Sequence, residues 1–141
     1  MPYIQNVSYE AIKNGEHLSA HNAILIQIVD YGLEFPQPKA KFREVYQFEF
    51  MDIELGDKLY NEHPELAIND EQAMQIANIL RDAYDSGYDV VVHCVAGVCR
   101  SGAVAEVGIM YGFEDTNAYR LPNLLVKQKV KDAIGLHWSW E

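Results

Sequence analysis

The chain has 141 residues, a formal net charge of −10 and two cysteines. Such acidity argues against a nucleic acid or an anionic membrane surface as partner, since phosphate groups call for a basic face. No apolar run approaches the roughly 18 residues that span a bilayer, and Met1-Pro2-Tyr3-Ile4-Gln5-Asn6 lacks the basic-then-apolar plan of a signal peptide.

The length suits one domain over residues 1–141, with a full core and no need of covalent staples. Both cysteines fall within one short segment, which excludes a disulfide framework and points to a reducing, cytoplasmic setting. Tyr3 to Val7 is expected as a short strand. Ser8 can N-cap a brief helix through Lys13, which Gly15 stops. Ala23 to Val29 is apolar except for Gln27, the pattern of a buried strand. Tyr31 to Pro38 carries Gly32, Pro36 and Pro38 and forms a loop. Tyr46 to Met51 alternates Tyr46, Phe48 and Phe50 with Gln47 and Glu49, a strand with one buried face that ends at Asp52.

Gly56 and Pro64 bracket an irregular stretch. Asn69, Asp70 and Glu71 announce a helix whose buried face is Ala73, Ile76, Ala77, Leu80 and Tyr84, and Gly87 closes it. Val90 to His93 reads as the central strand. Ser101 to Tyr111 is a helix apolar nearly all round, so its lone charge, Glu106, needs a partner or an exposed edge. Pro122 stands near the start of a last amphipathic helix that runs to Ile134. Strands separated by helices in this order predict an α/β fold with a mainly parallel central sheet flanked by helices. Ligands of such sheets bind beyond the carboxyl ends of the strands, where Cys94 and Asp52 both fall.

Between the central strand and the buried helix lies His93-Cys94-Val95-Ala96-Gly97-Val98-Cys99-Arg100-Ser101. A cysteine, five residues and an arginine in that setting are what attack on a phosphate ester requires. The backbone N–H groups of Val95, Ala96, Gly97, Val98, Cys99 and Arg100 can curl into a nest for an oxyanion, with a helix N-terminus behind them. The same field favours the nucleophilic thiolate form of Cys94. Arg100 can hold two phosphate oxygens in a bidentate fork that lysine cannot reproduce.

This string resembles the signature of the cysteine-dependent protein phosphatases, the tyrosine and dual-specificity group: His-Cys, five residues, Arg, then Ser or Thr. Gly97 matches that group's mid-loop glycine. Phe48-Glu49-Phe50-Met51-Asp52-Ile53 is similar to the Phe-x-Asp-Ile element of a bacterial and phage subgroup. Pro122-Asn123-Leu124-Leu125-Val126 is similar to that subgroup's Pro-Asn pair before an apolar helix. The resemblance covers residues from Tyr46 to Val126 and implies hydrolysis through a phosphocysteine, with no metal or organic cofactor. It further implies an upstream aspartate that protonates the leaving oxygen and then activates water.

Asp52 is favoured for that role by its motif and its place at a strand end, and Asp57, nearer the spacing of the eukaryotic enzymes, is the alternative. Ser101 stands at the group's Ser/Thr position, where its hydroxyl can donate to the Cys94 sulfur or cap the following helix. The resemblance makes His93 a structural partner of the loop. Cys99 departs from the pattern and reads as a small residue in place of serine; a reversible disulfide with Cys94 is geometrically difficult. The basic groups Lys39, Lys41, Arg43 and Arg120, Lys127, Lys129, Lys131 read chiefly as solvated faces. His17 and His21 have no third ligand nearby, so no metal site is assigned.

Phosphoinositide phosphatases usually carry lysines in this loop, whereas Val95, Ala96 and Val98 are apolar. The expected substrate is therefore a phosphorylated protein, on tyrosine first, with phosphoserine and phosphothreonine depending on the depth set by residues Asp30 to Arg43. Two other classes compete: a phosphopeptide-binding module without catalysis, and a thiol redox enzyme such as an arsenate reductase. The oligomeric state is not legible in the sequence.

Overall fold

In the computed structural model, residues 1–135 are described; the tail His137-Trp138-Ser139-Trp140-Glu141, which carries no assigned role, lies outside the described residues. The strands are β1 (Tyr3–Val7), β2 (Ala23–Val29), β3 (Glu44–Glu49), β4 (Asp89–His93) and β5 (Glu114–Asp115). The helices are α1 (Tyr9–Asn14), α2 (Lys58–Glu62), α3 (Asp70–Ser86), α4 (Arg100–Tyr111) and α5 (Leu124–Ala133), with a short 3₁₀ turn at Pro64–Leu66. The five strands form one sheet in the order β3-β2-β4-β1-β5, and every pairing is parallel.

β4 lies at the centre, in register with β1 (Ile4 beside Val90) and with β2 (Gln27 beside His93). Alternate residues of a strand face opposite sides of a sheet. Val90 and Val92 accordingly join the larger core with Ile76 and Leu80 of α3, Val104 of α4 and Val126 of α5. Val91 packs on the other side with Leu25 and with Ile12 of α1. Each fully buried aliphatic side chain contributes about 1.5–3 kcal/mol relative to exposure. Gln27, the polar break in β2, is fully buried and satisfied: it donates to the Pro36 carbonyl at 2.9 Å and accepts from Gln47 at 3.0 Å.

Local chemistry sets the helix starts. Ser8 accepts from the Ala11 N–H, and Asn69 forms a reciprocal capping box with Gln72. The main departure from the sequence reading is β3, expected over Tyr46 to Met51 and found at Glu44–Glu49. It is an edge strand, so Tyr46 is exposed rather than buried. Phe50 leaves the ladder after one hydrogen bond to the Val29 carbonyl and buries its ring completely. Asp52 therefore stands in the loop beyond β3 and not at the strand end itself. Among the described residues, no helix is long and apolar enough to cross a membrane.

Candidate active site

β4 delivers His93 and Cys94 to the carboxyl end of the sheet, and α4 starts at Arg100, so residues 94–99 form the connecting loop. Cys94 is buried, with Sγ 3.2 Å from the Ser101 hydroxyl oxygen, and the Ser101 N–H donates to the same sulfur at 3.5 Å. The loop carbonyls are held from outside. That of Cys94 meets His93 Nδ1 at 3.2 Å, and that of Val95 accepts from the Tyr9 N–H at 3.0 Å. Those of Gly97, Val98 and Cys99 accept from Asn6 Nδ2, the Leu121 N–H and the Asn123 N–H.

In a trans peptide the C=O of one residue points opposite the N–H of the next. Tethering these carbonyls outward therefore turns the N–H groups of Val95, Ala96, Val98, Cys99 and Arg100 toward the inside of the loop. Gly97 makes the curl possible. Its φ is +79°, and a Cβ there would lie 2.4 Å from the Ser8 nitrogen and the Val7 carbonyl carbon.

Arg100 is almost fully buried at the head of α4. Nη1 donates to Asp30 Oδ1 and to the Phe50 carbonyl, both at 2.7 Å, while Nε is buried without a protein partner. One corner of the guanidinium is thus anchored, and the Nε side remains able to receive an acceptor. Asp30, the first residue after β2, did not emerge from the sequence reading. The rule that drew attention to Asp52, a carboxylate beyond the carboxyl end of a strand, applies to it equally.

Asp52 is exposed and accepts from Asn123 Nδ2 at 2.7 Å. Asn123 also donates from Nδ2 to the Ile53 carbonyl, from its backbone N–H to the Cys99 carbonyl, and accepts the Val126 N–H as N-cap of α5. Glu54 completes this junction by accepting the N–H groups of Leu124 and Leu125. Asp57 is engaged elsewhere: its carboxylate accepts the Glu54 N–H at 2.8 Å, one residue before α2 begins. The structure thus ties Asp52, and not Asp57, to the segment that holds the loop.

Burial pushes the Cys99 thiol up, and the negative charge of Asp52 and the neighbouring Cys94 add to this. Burial also lowers His93 to about 4, and the Arg100 charge acts in the same direction. His93 is therefore neutral near pH 7, and because a carbonyl only accepts, its Nδ1 carries the proton. Glu106 of α4 is paired with Arg120 Nε at 2.8 Å and Lys127 Nζ at 3.1 Å, which holds its carboxyl below the usual range. Lys129 pairs with Asp70, and Arg43 stacks on Tyr88. His17 and His21 lie in the loop between α1 and β2.

The five-stranded parallel sheet with helices packed on both faces is an arrangement that solved structures share. Over 99% of this chain and 95% of the other, the structure resembles that of the human tyrosine phosphatase-like serine/threonine/tyrosine-interacting protein, with a TM-score of 0.61 at 15% identity. Human DUSP28 is similar over 94% of this chain and 80% of its own, with a TM-score of 0.50 at 21% identity. The fold is that of the tyrosine and dual-specificity phosphatases. No protein-family model and no curated protein matches the sequence.

Proposed function

We propose that this protein hydrolyses phosphomonoesters, phosphotyrosine of a protein substrate first, through a phosphocysteine intermediate. The observation that carries this reading is the tethering of the loop carbonyls around Cys94, which leaves N–H groups free for three equatorial phosphate oxygens. Cys94 Sγ attacks phosphorus, and the bond to the leaving oxygen breaks as Asp52 protonates it. Asp52, now a carboxylate, takes a proton from water, whose oxygen attacks the phosphocysteine. The sulfur leaves as a thiolate stabilised by Ser101, and inorganic phosphate departs. Arg100, anchored at Nη1, offers Nε to the charge that develops on the phosphoryl oxygens.

The tyrosine preference rests on the apolar loop face and its neighbour. Tyr9 bridges the loop and residues 30–43, donating its N–H to Val95 and its hydroxyl to the Glu34 carbonyl at 2.7 Å. Val95 on the loop and Tyr31 and Leu33 in the segment that Tyr9 joins to it are exposed, and we propose them as the apolar side chains that meet a phenyl ring. The test is hydrolysis of an aryl phosphate and of phosphotyrosyl, phosphoseryl and phosphothreonyl peptides by wild type, Cys94→Ser and Asp52→Asn. Cys94→Ser is expected to be inactive and Asp52→Asn to lose about 10²–10⁴-fold. Unchanged turnover in Cys94→Ser would overturn the mechanism. Tight phosphopeptide binding with no turnover in wild type would replace it with a binding module, and thiol-dependent arsenate reduction with no hydrolysis would replace it with redox chemistry.

A further inference from the structure

A groove of about 610 Å³ lies between β3 and α3 and shares no lining residue with the Cys94 loop. Its lining includes the apolar side chains of Ile24, Phe48 and Ile79 and the aromatic rings of Tyr46 and Tyr88. Among the described residues that line it, Glu44 and Asp82 carry the formal charges, and both are negative. Neither carboxylate belongs to an ion pair among the described residues. Tyr46 donates its hydroxyl to Glu44. Two neighbouring cations are already engaged. Arg43 has its guanidinium 4.2 Å from the Tyr88 ring centroid and donates from Nη2 to the Tyr88 hydroxyl at 3.1 Å. Arg81 donates from Nη1 to Asn78 Oδ1 at 2.9 Å and from Nη2 to the Ile134 carbonyl at 3.3 Å.

The groove borders an open sheet edge. β3 pairs with β2 alone, and Val45 and Tyr46 on it are 44% and 38% exposed. An edge strand directs half of its backbone N–H and C=O groups away from its one neighbour, where an extended segment can pair with them. A second copy of this chain is a poor occupant. Edge-to-edge pairing would set Glu44 and Glu49 against the same residues of another molecule that also carries −10. We propose that β3 and this groove dock an extended, basic segment of another protein, which adds to the sheet beside β3 and places Lys or Arg side chains against Glu44 and Asp82. The proposal does not rest on the phosphatase reading, since none of its residues serves that chemistry.

The test uses fluorescence anisotropy with a labelled alternating Lys-Val octapeptide, its Glu-Val counterpart as control, and amide hydrogen exchange on the complex. Wild type is expected to bind the Lys-Val peptide with protection gained in residues 44–48, and not to bind the Glu-Val peptide. Glu44→Lys with Asp82→Lys is expected to weaken binding about ten-fold or more at low salt, with aryl phosphate hydrolysis unchanged. Glu10→Lys with Glu16→Lys makes the same change of net charge on exposed residues elsewhere and is expected to retain binding. An equal loss in both double variants would reduce the effect to overall charge and overturn the proposal. So would protection outside β3, or dimerisation through β3 with no peptide binding.

Discussion

Asn123 donates from Nδ2 to Oδ1 of Asp52 at 2.7 Å, across 71 positions of sequence. The same residue ties its backbone to the Cys99 carbonyl and caps α5. One asparagine thus fixes the proposed acid relative to the proposed nucleophile's loop, and anchors both to a helix packed in the core. Asn123→Ala removes the bond to Asp52 and the cap together. We expect turnover of an aryl phosphate to fall about 10–100-fold with KM changed little, because binding of the phosphate does not pass through Asp52. Steady-state kinetics check this; a KM effect alone would show that Asn123 serves the loop and not the acid.

Asp30→Asn tests the anchor of Arg100. The variant keeps the size of the side chain but loses the charge-assisted bond at 2.7 Å, so the guanidinium loses its fixed direction. Inorganic phosphate as a competitive inhibitor is expected to bind about ten-fold more weakly. Unchanged inhibition would assign the anchoring to the Phe50 carbonyl alone.

Gly97→Ala meets two obstacles at once, a φ of +79° and a Cβ 2.4 Å from backbone atoms of Val7 and Ser8. A loss of about 2–4 kcal/mol in urea unfolding is expected, together with loss of hydrolysis, because β1 and the loop cannot separate without breaking the nest.

His93 gives stability a pH dependence with a definite sign. Its folded value, about 4, lies below the ordinary 6.5, with burial as the first cause. The unfolded chain therefore binds the extra proton between these values, and stability from this group is complete above 6.5 and declines as pH falls toward 4. The decline amounts to on the order of 3 kcal/mol across that window. Carboxylates held low by their partners, such as Glu106, lose their contribution only at lower pH. Urea unfolding between about pH 7 and about pH 4.5 should show a flatter profile for His93→Gln than for wild type.

Cys99 is expected to be dispensable. Its thiol is pushed up, which leaves it protonated and weakly nucleophilic near neutral pH. Cys99→Ser should keep turnover within about three-fold of wild type and remain sensitive to inactivation by iodoacetate. Complete protection from iodoacetate in this variant would make Cys99, and not Cys94, the reactive thiol.

What could be read from the chain itself was whatever is local. Ser8, Asn69 and Gly87 marked helix ends because caps act within a few residues, and the apolar runs of β2 and β4 marked buried strands. His93 to Ser101 carried the resemblance because its loop chemistry is contiguous. The edge position of β3 was not legible, because alternation in Tyr46, Phe48 and Phe50 records apolarity and not how many neighbours a strand has. Nor was Asp30, which acquires its meaning only when β2 and β4 lie side by side and bring it to Arg100. Only the tertiary structure shows the hydrogen bonds of the two candidate carboxylates: Asn123 reaches Asp52, and Asp57 closes its own turn. Distances between side chains far apart in sequence are set by packing, and packing is what the linear pattern does not contain.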